Sequence, residues 1–182
     1  GMATLKEIEE AIKIFRKNKK FKKKIIVLHC TSSYPTDYKN VNLNTMLTLK
    51  EAFKKYDIEI GFSDHTNSNE SAIAATALGA RLIEKHFTLD NNLSGPDHLS
   101  SLNPKDFEKF INSIRNTSLL LGSKNKIITM SEKENLLLVR KSIVASKKIL
   151  KGEKFSINNI TLKRPALGLA PKSWNKLIGK KS

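Results

Sequence analysis

Cysteine is nearly absent from this 182-residue chain. Cys30 stands alone, which excludes an internal disulfide and any structural zinc site built on several cysteines. It reads as a small buried hydrophobe rather than a nucleophile. No apolar run approaches the roughly 18–20 residues of a membrane helix, and the N-terminus lacks the charged, apolar and small-residue order of a signal peptide. The expected compartment is cytoplasmic. Acidic residues are scarce too: 17 Asp and Glu face 33 Lys and Arg, a formal net charge of +16. That excess attracts anions from nucleic acid to phosphorylated metabolites without choosing among them. Aromatic residues are few, and only Phe21 interrupts the run Lys17, Lys19, Lys20, Lys22, Lys23 and Lys24. Nucleic-acid surfaces interleave such cations with stacking rings. A codon bias toward Lys and Asn explains the run better than a dedicated nucleic-acid patch does, and nucleic acid is not the expected partner.

What is present suits a globular protein, with 39% hydrophobic and 27% charged residues. Leu5, Ile8, Ala11, Ile12 and Phe15 recur at helical spacing, so Thr4 to Phe15 reads as an amphipathic helix. Ile25 to Cys30 is a short β-branched run typical of a buried parallel strand. Asn44 to Tyr56 reads as a second helix and Ile58 to Ser63 as a second strand. Asn67 and Glu70 suggest a capping box for a helix through Leu78 that Gly79 ends. Arg81 to Phe87 is the third strand. Asn103, Pro104 and Asp106 supply an N-cap, an N1 proline and an acidic first turn for a helix to about Leu121. Three alternations of strand and helix predict a parallel α/β architecture with right-handed crossovers. Three strands do not close a barrel, and no strand precedes the first helix, so earlier strands are expected on the N-terminal side. The domain reading is a partial barrel over 1–121, a linker over 122–139 and a small β-rich domain over 140–182.

Four histidines, His29, His65, His86 and His98, fall at or just beyond predicted strand ends. In a parallel barrel that edge binds ligands. Period-two alternation puts Ser63 and His65 on one face of the second strand, and Leu82, Glu84 and His86 on one face of the third. If both faces look inward, the imidazoles of His65 and His86 converge and suit a first-row divalent metal with open positions for substrate oxygens. Glu84 lies one pleat deeper, suited to orient His86 or a metal-bound water. The alternative is a Glu84–lysine pair and a His65 that caps the following helix. The hydroxyl-rich loop Thr31 to Thr36 suits a phosphate or sugar. Asp97, in Gly95-Pro96-Asp97-His98, is either an acceptor for substrate hydroxyls or part of an ordinary turn.

Read in order, four segments resemble the sialic acid synthase family: His29-Cys30-Thr31-Ser32-Ser33-Tyr34-Pro35, Phe62-Ser63-Asp64-His65-Thr66, Ile83-Glu84-Lys85-His86-Phe87-Thr88-Leu89-Asp90 and Gly95-Pro96-Asp97-His98. The tail, from Arg140-Lys141-Ser142-Ile143-Val144-Ala145 through Lys163-Arg164-Pro165 to Ile178-Gly179-Lys180, resembles the family's antifreeze-like (SAF) domain. The resemblance implies the C-terminal portion of a TIM (β/α)8 barrel followed by that small domain, incomplete at both ends. It implies an enzyme that condenses phosphoenolpyruvate with an N-acylated hexosamine such as N-acetylmannosamine, releasing phosphate. It also implies Mn2+ or Mg2+ on His65 and His86, a catalytic role for Glu84, Ser63 at the phosphoenolpyruvate phosphate, and Tyr34 and Asp97 at the sugar. Ser32 falls in the phosphate region where some members carry Asn. Arg164 reaches the active site of a homodimer mate in this picture. Asn67-Ser68-Asn69 departs from the family's more usual Leu-Gly-Ile. The lysines and glutamates that hold phosphoenolpyruvate lie, by the resemblance, in a preceding half, so the chain alone is expected to be inactive. Two other readings stand beside this one: a metal-dependent barrel hydrolase, and a basic binding or assembly fragment without catalysis.

Overall fold

The computed structural model describes residues 1–18 and 23–182, so Lys19, Lys20, Phe21 and Lys22 of the lysine run lie outside the described residues. The described chain forms two compact units, Gly1–Gly122 and Ser123–Ser182.

The first unit opens with α1 (Leu5–Lys17), where Thr4 Oγ1 accepts from Glu7 N at 3.4 Å and Thr4 N donates to Glu7 Oε2 at 2.7 Å. This reciprocal bonding satisfies two amides that a bare helix end would leave open. Strands β1 (Ile26–Cys30), β2 (Glu59–Asp64) and β3 (Ile83–Lys85) form a parallel sheet in that spatial order. Between them run α2 (Tyr38–Val41), α3 (Thr45–Ala52) and α4 (Glu70–Ala77), and α5 (Pro104–Leu121) follows β3. One sheet face is apolar. Val27, Ile60, Phe62 and Ile83 pack there with Ile12 of α1, Met46 and Leu49 of α3, Phe53 and Ala75 of α4. Burying these side chains holds the helices to the sheet. The opposite face carries Leu28, Cys30, Gly61, Ser63 and Glu84 by alternation along registered strands. A Cβ on Gly61 would lie 2.5 Å from Leu28 Cδ2 and 2.6 Å from the Leu82 carbonyl oxygen, so this interior face is too tight there for any side chain.

Several elements depart from the sequence pattern. The second helix breaks after Ala52 into a 3-10 turn, Lys54–Tyr56, and Asp57 adopts a left-handed φ of 49° that turns the chain into β2. The N-cap of α4 is Asn69, with no side-chain cap bond, so the Asn67–Glu70 capping box does not form. Glu70 is held below its usual carboxylate range chiefly by a hydrogen bond from Ser68. β3 is shorter than Arg81 to Phe87, because only Ile83–Lys85 pair with β2. Asn103, by contrast, caps α5 as expected, its Oδ1 accepting from Asp106 N at 3.0 Å.

In the second unit the segment read as a linker contains α6 (Met130–Val139), started by a Thr129–Glu132 capping box. Its apolar residues Leu136, Leu137, Leu138 and Val139 run consecutively and not at helical spacing, so no amphipathic period marks the helix. β4 (Ser142–Ala145) and β5 (Ile160–Lys163) form an antiparallel pair, and α7 (Trp174–Leu177) follows. Ile143 and Ile160 are its buried apolar residues. Asn159, 2% exposed, is a polar hub: Oδ1 accepts from Ser156 N at 2.7 Å, and Nδ2 donates to Glu153 Oε1 at 3.1 Å and Lys154 O at 3.0 Å.

Candidate active site

His65 follows the end of β2 and His86 follows the end of β3, one pleat beyond the registered pair Ser63 and Glu84. Their rings meet edge to face with centroids 5.0 Å apart. Each element of the His65 environment restricts it. Its own carbonyl accepts from Thr36 N at 2.8 Å, and its Nδ1 lies 2.8 Å from the Thr31 carbonyl oxygen. A carbonyl only accepts, so in the neutral ring Nδ1 carries the proton and Nε2 keeps its lone pair. Tyr34 covers both imidazoles, 4.2 Å from the His65 ring and 5.4 Å from the His86 ring, centroid to centroid. Cys30 Sγ stands 3.9 Å from His65 Nδ1.

Below the rings, Ser63 Oγ donates to Glu84 Oε1 at 2.7 Å and lies 3.5 Å from His65 Nε2. Glu84 therefore pairs with Ser63. Where the sequence suggested His86, a metal-bound water or a lysine as its partner, one Glu84 oxygen meets Ser63, because registered strands place that hydroxyl directly opposite the carboxylate. The Asp97 carboxylate approaches His86 Nδ1 at 3.9 Å. Ser32 is exposed in the loop after β1. Arg164 belongs to the other unit, exposed, before a cis peptide to Pro165.

The remaining histidines do other work. His29 Nε2 lies 2.7 Å from the Val41 carbonyl oxygen, with its ring stacked on Phe62 on the helix-covered face. His98 Nδ1 meets Thr88 Oγ1 at 2.8 Å. The pattern of strand ends treated all four alike; alternation alone separates His29 from the pair. Sequence reasoning missed one buried feature, an ion pair of Asp64 and Lys85 whose side chains are 0% and 1% exposed. Its signal was available: Asp64 precedes His65 as Lys85 precedes His86.

The donor set fits a divalent cation at the level of its chemistry: two imidazoles whose rings meet, one with Nδ1 held at a backbone carbonyl, beside carboxylate and hydroxyl oxygens. Among the described residues no group of three or more His, Cys, Asp or Glu gathers as a metal cluster, so any such ion would have open positions.

A parallel sheet covered by helices on one face, with a histidine pair at the C-terminal edge of the other, matches the edge at which parallel α/β barrels bind their ligands. The chain belongs to the NeuB family, whose profile matches residues 1–126, and a SAF domain matches residues 140–182. It is 47% identical over 99% of its length to an N,N'-diacetyllegionaminic acid synthase of Campylobacter jejuni, of which it covers 53%. It is 34% identical over 100% of its length to the human N-acetylneuraminate-9-phosphate synthase, covering 48% of that protein. Among solved structures, an N-acetylneuraminic acid synthetase from Leptospira borgpetersenii in complex with citrate matches 74% of this chain and 45% of its own, with 39% identity and a TM-score of 0.64. The Bacillus subtilis spore coat polysaccharide biosynthesis protein spsE matches 99% of this chain and 54% of its own, with 34% identity and a TM-score of 0.57. The architecture is thus the C-terminal portion of a TIM barrel followed by a small SAF domain, and the chain spans about half the length of the relatives it matches.

Proposed function

We propose that this chain contributes the metal and acceptor side of a nonulosonate synthase, the enzyme class that condenses phosphoenolpyruvate with an N-acylated amino sugar to give a nine-carbon acid and phosphate. The convergence of His65 and His86, 5.0 Å between ring centroids, carries the reading. Relatives named as legionaminic, pseudaminic and sialic acid synthases support it.

In this reading His65 and His86 would hold Mn2+ or Mg2+, and that ion would supply Lewis-acid chemistry toward the acceptor's aldehyde. Thr31 and Thr36 fix the His65 ring and backbone, so that its Nε2 is presented without reorganisation. Tyr34 and Asp97 stand on the solvent side of the pair and suit the hydroxyls of the sugar. Ser63, with its proton directed to Glu84, would meet the phosphoenolpyruvate phosphate together with Ser32 of the loop after β1. Glu84 orders Ser63 and offers a carboxylate for proton transfer as water adds to the enol carbon. The methylene carbon of phosphoenolpyruvate forms the new bond to the aldehyde carbon, and phosphate leaves by C–O cleavage. Arg164, by the resemblance, serves the site of a dimer mate.

Lysine and arginine do not occur among the interior-face residues Leu28, Cys30, Gly61, Ser63, Leu82 and Glu84, and Lys85 faces the helices. The phosphate charge has to be met from outside these strands. The chain alone is therefore expected to release no phosphate, and a mixture with the N-terminal barrel half of a relative is expected to form acid. Calorimetric titration with Mn2+ and mass-spectrometric detection of the acid test both halves of the reading. His86→Ala should abolish metal binding and product, and Arg164→Ala should lower product while metal binding stays. Unchanged metal binding by His86→Ala would overturn the assignment.

A further inference from the structure

The two imidazoles come from separate strands, and one buried contact ties those strands together immediately beside them. Asp64 and Lys85 are registered partners across β2 and β3, with Lys85 Nζ 3.0 Å from Asp64 Oδ2. Alternation turns both side chains to the helix-covered face, away from the rings of His65 and His86. Each is one residue before its histidine. Asp64 Oδ1 accepts from Thr66 N at 2.9 Å, and Lys85 Nζ also donates to the Thr66 carbonyl oxygen. Side chains from both strands thus grip the two residues that flank His65. Thr66 itself is 0% exposed, with its hydroxyl 2.7 Å from Ser71 Oγ at the start of α4. Phe110 of α5 covers the ammonium, its ring centroid 5.8 Å from Nζ.

We infer that the Asp64–Lys85 pair is a positioning clamp: it sets the separation and ring orientation of His65 and His86 before any ligand arrives, without touching that ligand. Burial costs such a pair much of its Coulombic gain, and apolar or neutral replacements of buried pairs are often neutral for stability. The pair is retained here for geometry. It holds the extended run of β2 through Asp64 and the turn at Thr66 in one arrangement, so His65 Nδ1 reaches the Thr31 carbonyl and the His65 ring meets the His86 ring edge to face. The inference deepens the proposed metal role of the histidines and rests on it only for its metal readout.

The double variant Asp64→Asn with Lys85→Met removes both charges, leaving no unpaired ion, and the amide can still accept from Thr66 N. It is expected to fold, by far-UV circular dichroism and thermal unfolding, and to bind Co2+ about 10–100-fold more weakly, the usual penalty when a residue supporting a ligand is lost. Nitrogen-15 spectroscopy of the metal-free chain gives an independent measure. The His65 ring N–H bonded to Thr31 should be protected in the native chain and exchange with solvent in the double variant. A folded variant with native Co2+ affinity and a protected ring proton would overturn the clamp. If native chain and His86→Ala bind Co2+ equally, the metal reading fails instead, and the ring proton still decides the clamp. Should the double variant not fold, the neutral hydrogen-bonding pair Asp64→Asn with Lys85→Gln applies the same two measurements, with a several-fold loss and faster ring exchange expected; native values there would overturn the inference equally.

Discussion

The two units of this chain are stabilised by different means. Gly1–Gly122 sets a sheet face against four helices around Ile12, Met46, Leu49, Phe62 and Ala75. Ser123–Ser182 buries Ile143 and Ile160 as its apolar residues and organises its loops around the amide of Asn159. Charge differs in parallel. The second unit has only three acidic residues, Glu132, Glu134 and Glu153, amid most of a net excess of lysine. A unit with a real core can keep a polar functional face, because the core provides the stability that the face does not. A small unit with little apolar area relies on satisfied buried polar groups, where each missing partner is costly.

That contrast can be broken most sharply in the first unit. Phe62→Ala empties a fully buried site and should cost about 3–5 kcal/mol, seen as a lower midpoint in urea unfolding. A loss below 1 kcal/mol would mean that the core is not the source of stability. In the second unit Asn159→Ala strips a partner from Ser156 N and from Glu153, with an expected cost of about 1–3 kcal/mol and increased exchange of the Ser156 amide. If this variant is neutral, the polar hub is decoration. Thr129→Ala removes the cap of α6 and should cost about 1 kcal/mol, read as reduced helicity of residues 130–139. Smallest is a pH effect in the first unit. Glu9 accepts from Tyr56, Lys55 and Lys13, and these bonds hold its carboxyl down at about 2 from an ordinary 4.5. A depressed folded pKa contributes stability that is present above pH 4.5 and lost as pH falls toward 2. Glu9→Gln should therefore lower the thermal midpoint above pH 4.5 and leave it nearly unchanged near pH 2, so that the acid limb of the profile flattens over that window.

Much of the first unit was legible because its signals are local. Apolar spacing revealed α1, and Asn103, Pro104 and Asp106 announced α5 with the correct cap. The second unit was harder: α6 has almost no amphipathic pattern, and its capping box went unread. The family motifs pointed to the candidate site, and strand parity put His65 and His86 on one face, where their rings meet.

The sequence by itself determined the alternation of strands and helices, the side of the sheet on which each β2 and β3 residue falls, and hence which two histidines share a face. Those follow from a period of two and from caps that span a few residues. Only tertiary structure decided what each polar group pairs with: Glu84 with Ser63 instead of His86, Lys85 with Asp64, His29 with the Val41 carbonyl, Asn159 with its three loop partners. Partner choice depends on strand register and on the packing of helices that are distant in the chain, and a buried polar group takes whichever partner that packing brings within about 3 Å.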